Sequence, residues 1–190
     1  MRTQHTASAS ISRRALATGM GLLVLRSVIG APAHAANPPT IAERFAHLNT
    51  HGNSNCSRAF MDSIATMSPT ARLQGSCCSP MELKRYGAQI EGLKAYADQP
   101  LIPADPYDIP AGLAADLMLS YDLALTTAEQ AAYDYAMSHS EEGGPCCCRC
   151  WRWRTYGGLA KRLIREHGFT GEQVTKVWNL SDGCGGADHA

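Results

Sequence analysis

The chain carries eight cysteines in 190 residues, and four of them fall within the stretch Gly144-Pro145-Cys146-Cys147-Cys148-Arg149-Cys150-Trp151. Cys77 and Cys78 are adjacent in Ser76-Cys77-Cys78-Ser79-Pro80. Cys184 sits in the glycine-rich run Asp182-Gly183-Cys184-Gly185-Gly186, and Cys56 stands alone upstream. Packing gives no reason to crowd so many sulfurs together, so the pattern points to covalent or coordination chemistry. In the first reading Cys77, Cys78, Cys146, Cys147, Cys150 and Cys184 are soft thiolate ligands for copper(I), zinc or an iron–sulfur centre. A single tetrahedral site uses four ligands. A larger set therefore suits a multinuclear copper(I) cluster, two zinc sites, or a metal site accompanied by a disulfide. Cys148 and Cys56 are possible additional ligands, as are His47 and His51, which share a helix face at a spacing of four.

Two other chemistries use the same residues. An even cysteine count suits four disulfides stapling a small exported domain, with the pair at 77–78 joined to the cluster at 146–150. Alternatively, Cys147 or Cys150, two ends of a Cys-x-x-Cys, would act as a low-pKa nucleophile in thiol–disulfide exchange. The βαβ pattern that surrounds thioredoxin-type sites is absent from the sequence.

The elements that position these sulfurs read as helices. Thr40 with Glu43, Ser79 with Glu82, Thr127 with Gln130 and Thr170 with Gln173 have capping-box spacing. Ser68-Pro69, Ser79-Pro80 and Gly144-Pro145 offer proline at a first helical position. Helices are expected near 40–51, 57–67, 80–97, 110–124, 127–139, 145–167 and 171–180, with almost no strand signal. The fold class is all-α: a single compact domain of six or seven helices with a cysteine-rich site at helix N-termini. On this reading Cys146, Cys147 and Cys150 share one face of a first helical turn, where the positive end of the helix dipole favours thiolate, and Cys148 points elsewhere. Leu159, Leu163 and Ile164 continue an apolar face, so this helix is expected to be central and buried, with Trp151, Trp153, Tyr156 and Trp178 as core. The proline-rich run 99–106 reads as a surface connector between two helical halves.

Residues 1–35 stand apart from this pattern. A basic, acid-free start leads through Ser12-Arg13-Arg14-Ala15-Leu16 to an apolar stretch and closes on Ala33-His34-Ala35. This resembles a bacterial twin-arginine (Tat) export signal, and an ordinary secretory signal is the other reading of the same segment. Either implies a periplasmic or secreted protein with a mature domain at 36–190. The resemblance further implies export in the folded state. These thiols would then meet the reducing cytoplasm first, where metals load readily and bridges form poorly, which favours the metal reading.

Removing residues 1–35 takes away four arginines and no acidic residue, leaving 13 basic against 17 acidic side chains and a net charge of −4. A mildly acidic domain has no general attraction for nucleic acid or anionic lipid. Trp151-Arg152-Trp153-Arg154 with Lys161, Arg162 and Arg165 reads as a solvated helix face beside buried tryptophans rather than a nucleic-acid stripe. No run is apolar for long enough to span a bilayer. No phosphate loop, nucleophile elbow or His-Glu-x-x-His is present, so no catalytic residue is assigned. Met61 and Met67 read as core. The partner these features allow is an exported protein, to which the chain would be a metal-binding, accessory or redox component.

Overall fold

The computed structural model describes residues 38–185, so the export signal expected at 1–35 lies outside the described residues. The elements run α1 (Ile41–His51), α2 (Arg58–Ile64), β1 (Arg72–Gln74), α3 (Leu83–Leu93), β2 (Asp108–Pro110), α4 (Ala111–Leu119), α5 (Thr127–His139), α6 (Trp151–His167) and α7 (Gly171–Ser181). Short 3-10 turns follow α3 and α4, at Lys94–Tyr96 and Ser120–Asp122. The domain is mostly helical, with one two-stranded antiparallel ribbon that pairs Leu73 with Ile109.

Local chemistry explains where helices start. The boxes at Thr40/Glu43 and Thr170/Gln173 form. The box of α5 closes one residue earlier than its sequence suggests, between Thr126 and Glu129. The expected box at Ser79/Glu82 does not form, because the Ser79 hydroxyl donates instead to the Cys184 carbonyl. The chain consequently stays irregular until Leu83.

The long helix α6 is the centre of the molecule. Trp151, Tyr156, Leu159, Ala160 and Leu163 are wholly buried, and the helix packs on α4, α5 and α7. Trp178 donates to the Tyr156 carbonyl at 3.0 Å and stands edge-on to Tyr133. A Cβ on Gly158 would lie 1.8 Å from the Leu117 carbonyl oxygen, so glycine here sets how closely α4 and α6 approach. Gly168 ends α6 in the left-handed conformation, φ +66°, as a helix C-cap does.

Two further expectations need correction. The run 99–106 is not a surface crossing: Ile102, Pro103, Asp105 and Pro106 are buried. Asp105 provides the reason, since its carboxylate pairs with Arg44, accepts from Tyr86 Oη at 2.8 Å and caps the Tyr107 amide at 2.9 Å. The basic residues of α6 do not form one solvated face either. Arg152 is fully buried, Lys161 donates to the Tyr121 and Leu123 carbonyls, and Arg162 and Arg165 pair with Asp116, Glu166 and Glu129.

The two glycines separate steric from conformational constraint. Gly158→Ala is expected to lower stability by about 3 kcal/mol or more through overpacking, and Gly168→Ala, where nothing lies within reach of the added carbon, by about 1 kcal/mol. Urea unfolding of the reduced protein measures both.

Candidate metal centre

Four loops meet at one end of α6. Cys56 lies between α1 and α2, Cys77 and Cys78 follow β1, Cys146–Cys148 lead into α6, Cys150 is the α6 N-cap, and Cys184 follows α7. Cys146–Cys148 therefore occupy the loop before the helix rather than its first turn, and α6 opens at Trp151, not Pro145. The site still touches a helix N-terminus, through Cys150. The irregular backbone of this loop lets neighbouring sulfurs converge in a way that a regular helical turn would not.

Each loop is pinned by side chains that the sequence places beside its cysteines. Asn53 donates to the Arg72 carbonyl and accepts from the Gln74 amide, and Ser54 Oγ accepts from Trp151 Nε1 at 3.2 Å, which seats the Cys56 loop. Ser140 accepts from the Gly144 amide at 2.7 Å, fixing the entry to 146–150. The Cys184 carbonyl accepts from the Ser79 amide, Ser76 Oγ and Ser79 Oγ. Asp182, held by Arg85 at 2.7 Å, caps the Cys184 amide at 3.1 Å. Gly185, at φ +123°, passes so close to Ser79 that a Cβ would meet its hydroxyl at 2.2 Å.

The structure brings all eight sulfurs into one network. Cys56 Sγ lies 3.2 Å from Cys78 and 3.3 Å from Cys148, Cys78 lies 3.7 Å from Cys77, 3.7 Å from Cys147 and 3.6 Å from Cys148, and Cys146 lies 2.7 Å from Cys184. Three sets of four have all their sulfurs within 4.8 Å of one another: Cys56/Cys77/Cys148/Cys150, Cys77/Cys78/Cys148/Cys184 and Cys146/Cys147/Cys148/Cys184. Sulfurs around one tetrahedral ion at a metal–sulfur length of about 2.3 Å stand about 3.8 Å apart, so this spacing could hold a metal. Cys148, which the helical reading sets apart, belongs to all three sets. Its position in a loop removes the geometric reason for excluding it. Cys56, distant in sequence from the other cysteines, is also drawn in. His47 and His51 stack on each other on the exposed side of α1, with ring centres 4.9 Å apart, and belong to none of these sets.

The sulfurs form an inner and an outer layer. Cys146, Cys150 and Cys184 are buried, Cys56, Cys77, Cys147 and Cys148 are half-buried, and Cys78 is exposed. Surrounding thiols of Cys146, Cys150 and Cys184, with help from the Arg152 cation, outweigh burial and hold Cys77 well below the ordinary thiol value. Contacts from Cys146 foremost, then from Cys56, Cys150 and Cys78, outweigh burial and push Cys148 down to about 5. Burial is the main cause that pushes Cys56, Cys78 and Cys147 up. Cys146 is pushed up by its contacts to Cys148, Cys150, Cys184 and Cys77. For Cys150 a contact from Cys146 works downward, yet Cys77 and burial prevail and push it up to about 12. Cys184 is likewise raised, with Cys77 and burial overcoming Cys146.

The residue that sequence reasoning missed is Arg152. Its Nη1 donates to the Pro106 carbonyl at 2.5 Å and its Nη2 to the Gly75 carbonyl at 2.9 Å, and the guanidinium lies 4.5 Å from the Trp151 ring centre. Burial works against its charge, but the Tyr156 phenol and the sulfurs of Cys77, Cys184 and Cys146 outweigh that and strengthen it. Gly183 leaves room for the guanidinium, since a Cβ there would lie 2.3 Å from Nη1. The available signal was an arginine two residues after the N-cap cysteine, on the apolar side of the helix.

Comparison with protein-family models, with curated proteins and with solved structures returns no match to this chain. The site must therefore be read from its own atoms.

Arg152→Met is expected to destabilise the reduced protein by about 3 kcal/mol, because two buried carbonyls and a thiolate lose their partner. Arg152→Lys, which keeps the charge but reaches fewer acceptors, should cost roughly half as much. Denaturant unfolding in the presence of reductant reads the difference.

Proposed function

We propose that this chain binds a soft metal as a polynuclear thiolate cluster, with copper(I) as the ion, and serves to store or deliver it. The observation that carries the reading is the overlap of three four-sulfur sets at Cys148, with Cys77 and Cys184 each shared by two. Sulfurs common to several sites act as bridges between ions, and the donor set contains sulfur alone, which selects soft metals. Copper(I) accepts two or three thiolates and shares them readily. Zinc requires four per site, and Cys148 would have to serve three zinc ions at once. An iron–sulfur centre interposes sulfide between its cysteines and spreads them further apart than the 3.2–3.7 Å contacts here. Storage or delivery fits the layering, because buried sulfurs retain ions while Cys78 and its neighbours offer a route in and out. Export through the twin-arginine-like segment, with an exported protein as recipient, belongs to the same proposal and is supported by the sequence of residues 1–35.

A second reading has one specific observation in its favour. The Cys146–Cys184 pair is buried, with its sulfurs 2.7 Å apart. A bridge there would staple the α6 entry loop to the C-terminal segment and leave six cysteines.

Anaerobic titration of the reduced chain should saturate at about four copper(I) ions, two thiolates per ion on average. Four disulfides and no bound metal would contradict the proposal. Cys148→Ser should lose at least one ion, whereas Cys56→Ser, outside two of the three sets, should lose fewer. Six of the thiols are raised and therefore protonated at neutral pH, so copper must displace their protons. Affinity should fall as pH is lowered from 8 to 6, and loading should release protons into a weakly buffered solution, measurable with an indicator dye.

A further inference from the structure

A cavity of about 350 Å³ is lined by Arg58, Asp62, Tyr121, Arg149, Trp153 and Arg154 among others, two of them next or nearly next in the chain to cysteines of the cluster. Its position follows from the chain: Arg149 stands between Cys148 and Cys150, Arg58 comes two residues after Cys56, and the Cys56 and Cys148 sulfurs are 3.3 Å apart. Arg58 has a weak partner in Asp62 at 3.9 Å. Arg149 and Arg154 have no acidic partner among the described residues and instead lie over aromatic faces, Arg149 over Trp153 and Arg154 over Tyr121, each at 5.3 Å. The two rings are tied together by Trp153 Nε1 donating to Tyr121 Oη at 2.9 Å. In a domain whose net charge is negative, two guanidiniums without carboxylates, held over a fixed aromatic wall, form a preorganised anion site.

We infer that this cavity binds the carboxylates of a small thiol compound, and that such a compound brings the metal to the rim of the cluster. The transfer step rests on the copper reading, whereas the carboxylate site does not. Guanidinium forks match carboxylates in a bidentate way, and the cluster sulfurs that flank Arg149 in the chain favour a carrier whose own donor is sulfur, since a soft ion moves most readily between like ligands. The step is a ligand exchange without change of oxidation state. The bond from copper(I) to the carrier sulfur breaks as one to Cys56 forms, and the displaced Cys56 thiol proton passes to the departing carrier sulfur.

The probe is glutathione, which carries two carboxylates and a thiol. Calorimetry or NMR titration of the reduced, metal-free full chain should show binding by glutathione and little by its diethyl ester. In the double variant Arg149→Gln/Arg154→Gln binding should weaken about tenfold or more, with Arg154→Lys intermediate. The same double variant should slow copper uptake from the glutathione complex about tenfold relative to uptake from the 2-mercaptoethanol complex, which has no carboxylate to recognise. Equal binding of glutathione and its ester, or equal binding by wild type and double variant, would overturn the carboxylate site. Intact glutathione binding with no copper uptake from either complex would overturn the transfer step and the copper reading together, while leaving the anion site supported. Circular dichroism of each variant separates these outcomes from misfolding.

Discussion

A fully buried guanidinium beside a cluster of sulfurs is the constraint on which the rest of this structure depends. Arg152 joins the turn at Gly75, the buried 99–106 segment through Pro106, and the end of α6 where the cysteines gather. An arginine out of water needs hydrogen-bond acceptors and negative charge near it. Carbonyls from two separate loops accept from Nη1 and Nη2, and Cys77, held below the ordinary thiol value, supplies the electrostatic counterpart. The arrangement is reciprocal. The cation favours thiolate at the half-buried Cys77, and that sulfur helps the cation stay inside the core.

That dependence explains why so much of the sequence around the cysteines is small, polar or glycine. The C-terminal segment must cross the guanidinium at Gly183 and press against Ser79 at Gly185, and no side chain fits at either place. Ser79 gives up helix capping and joins Ser76 in holding the Cys184 carbonyl. Asp182 is braced by Arg85 and by Gln89, which donates to its carbonyl at 2.6 Å. Metal ligands need this kind of outer support, because the orientation of each sulfur sets whether neighbouring ions can share it.

Much of the fold was legible because local signals and burial agreed. The capping residues at Thr40 and Thr170, the apolar stripe of α6 and the buried Trp151 and Trp178 mark real elements, whereas Trp153, expected as core, is half-buried. Legibility failed where a long-range partner outbid a local one. Ser79 resembles a helix cap until the Cys184 carbonyl, more than a hundred residues away, takes its hydroxyl. Pro145 resembles a helix start, yet the chain stays irregular so that Cys146, Cys147 and Cys148 can all turn toward the other loops. The proline-rich 99–106 run resembles a surface linker, and only Arg44 and Tyr86, from two other helices, reveal why Asp105 is inside. The same limit applies at the site. Sequence clustering identified the sulfurs, but the central place of Cys148, the recruitment of Cys56 and the role of Arg152 are properties of loops brought together by folding.

The central claim is that these sulfurs share several ions rather than one, and that nothing but sulfur binds them. X-ray absorption spectroscopy of the anaerobically copper-loaded protein tests it most directly. The account predicts a first shell of sulfur alone together with a nearby copper neighbour in the second shell. A first shell containing nitrogen or oxygen, or isolated copper with no metal neighbour at full loading, would contradict it.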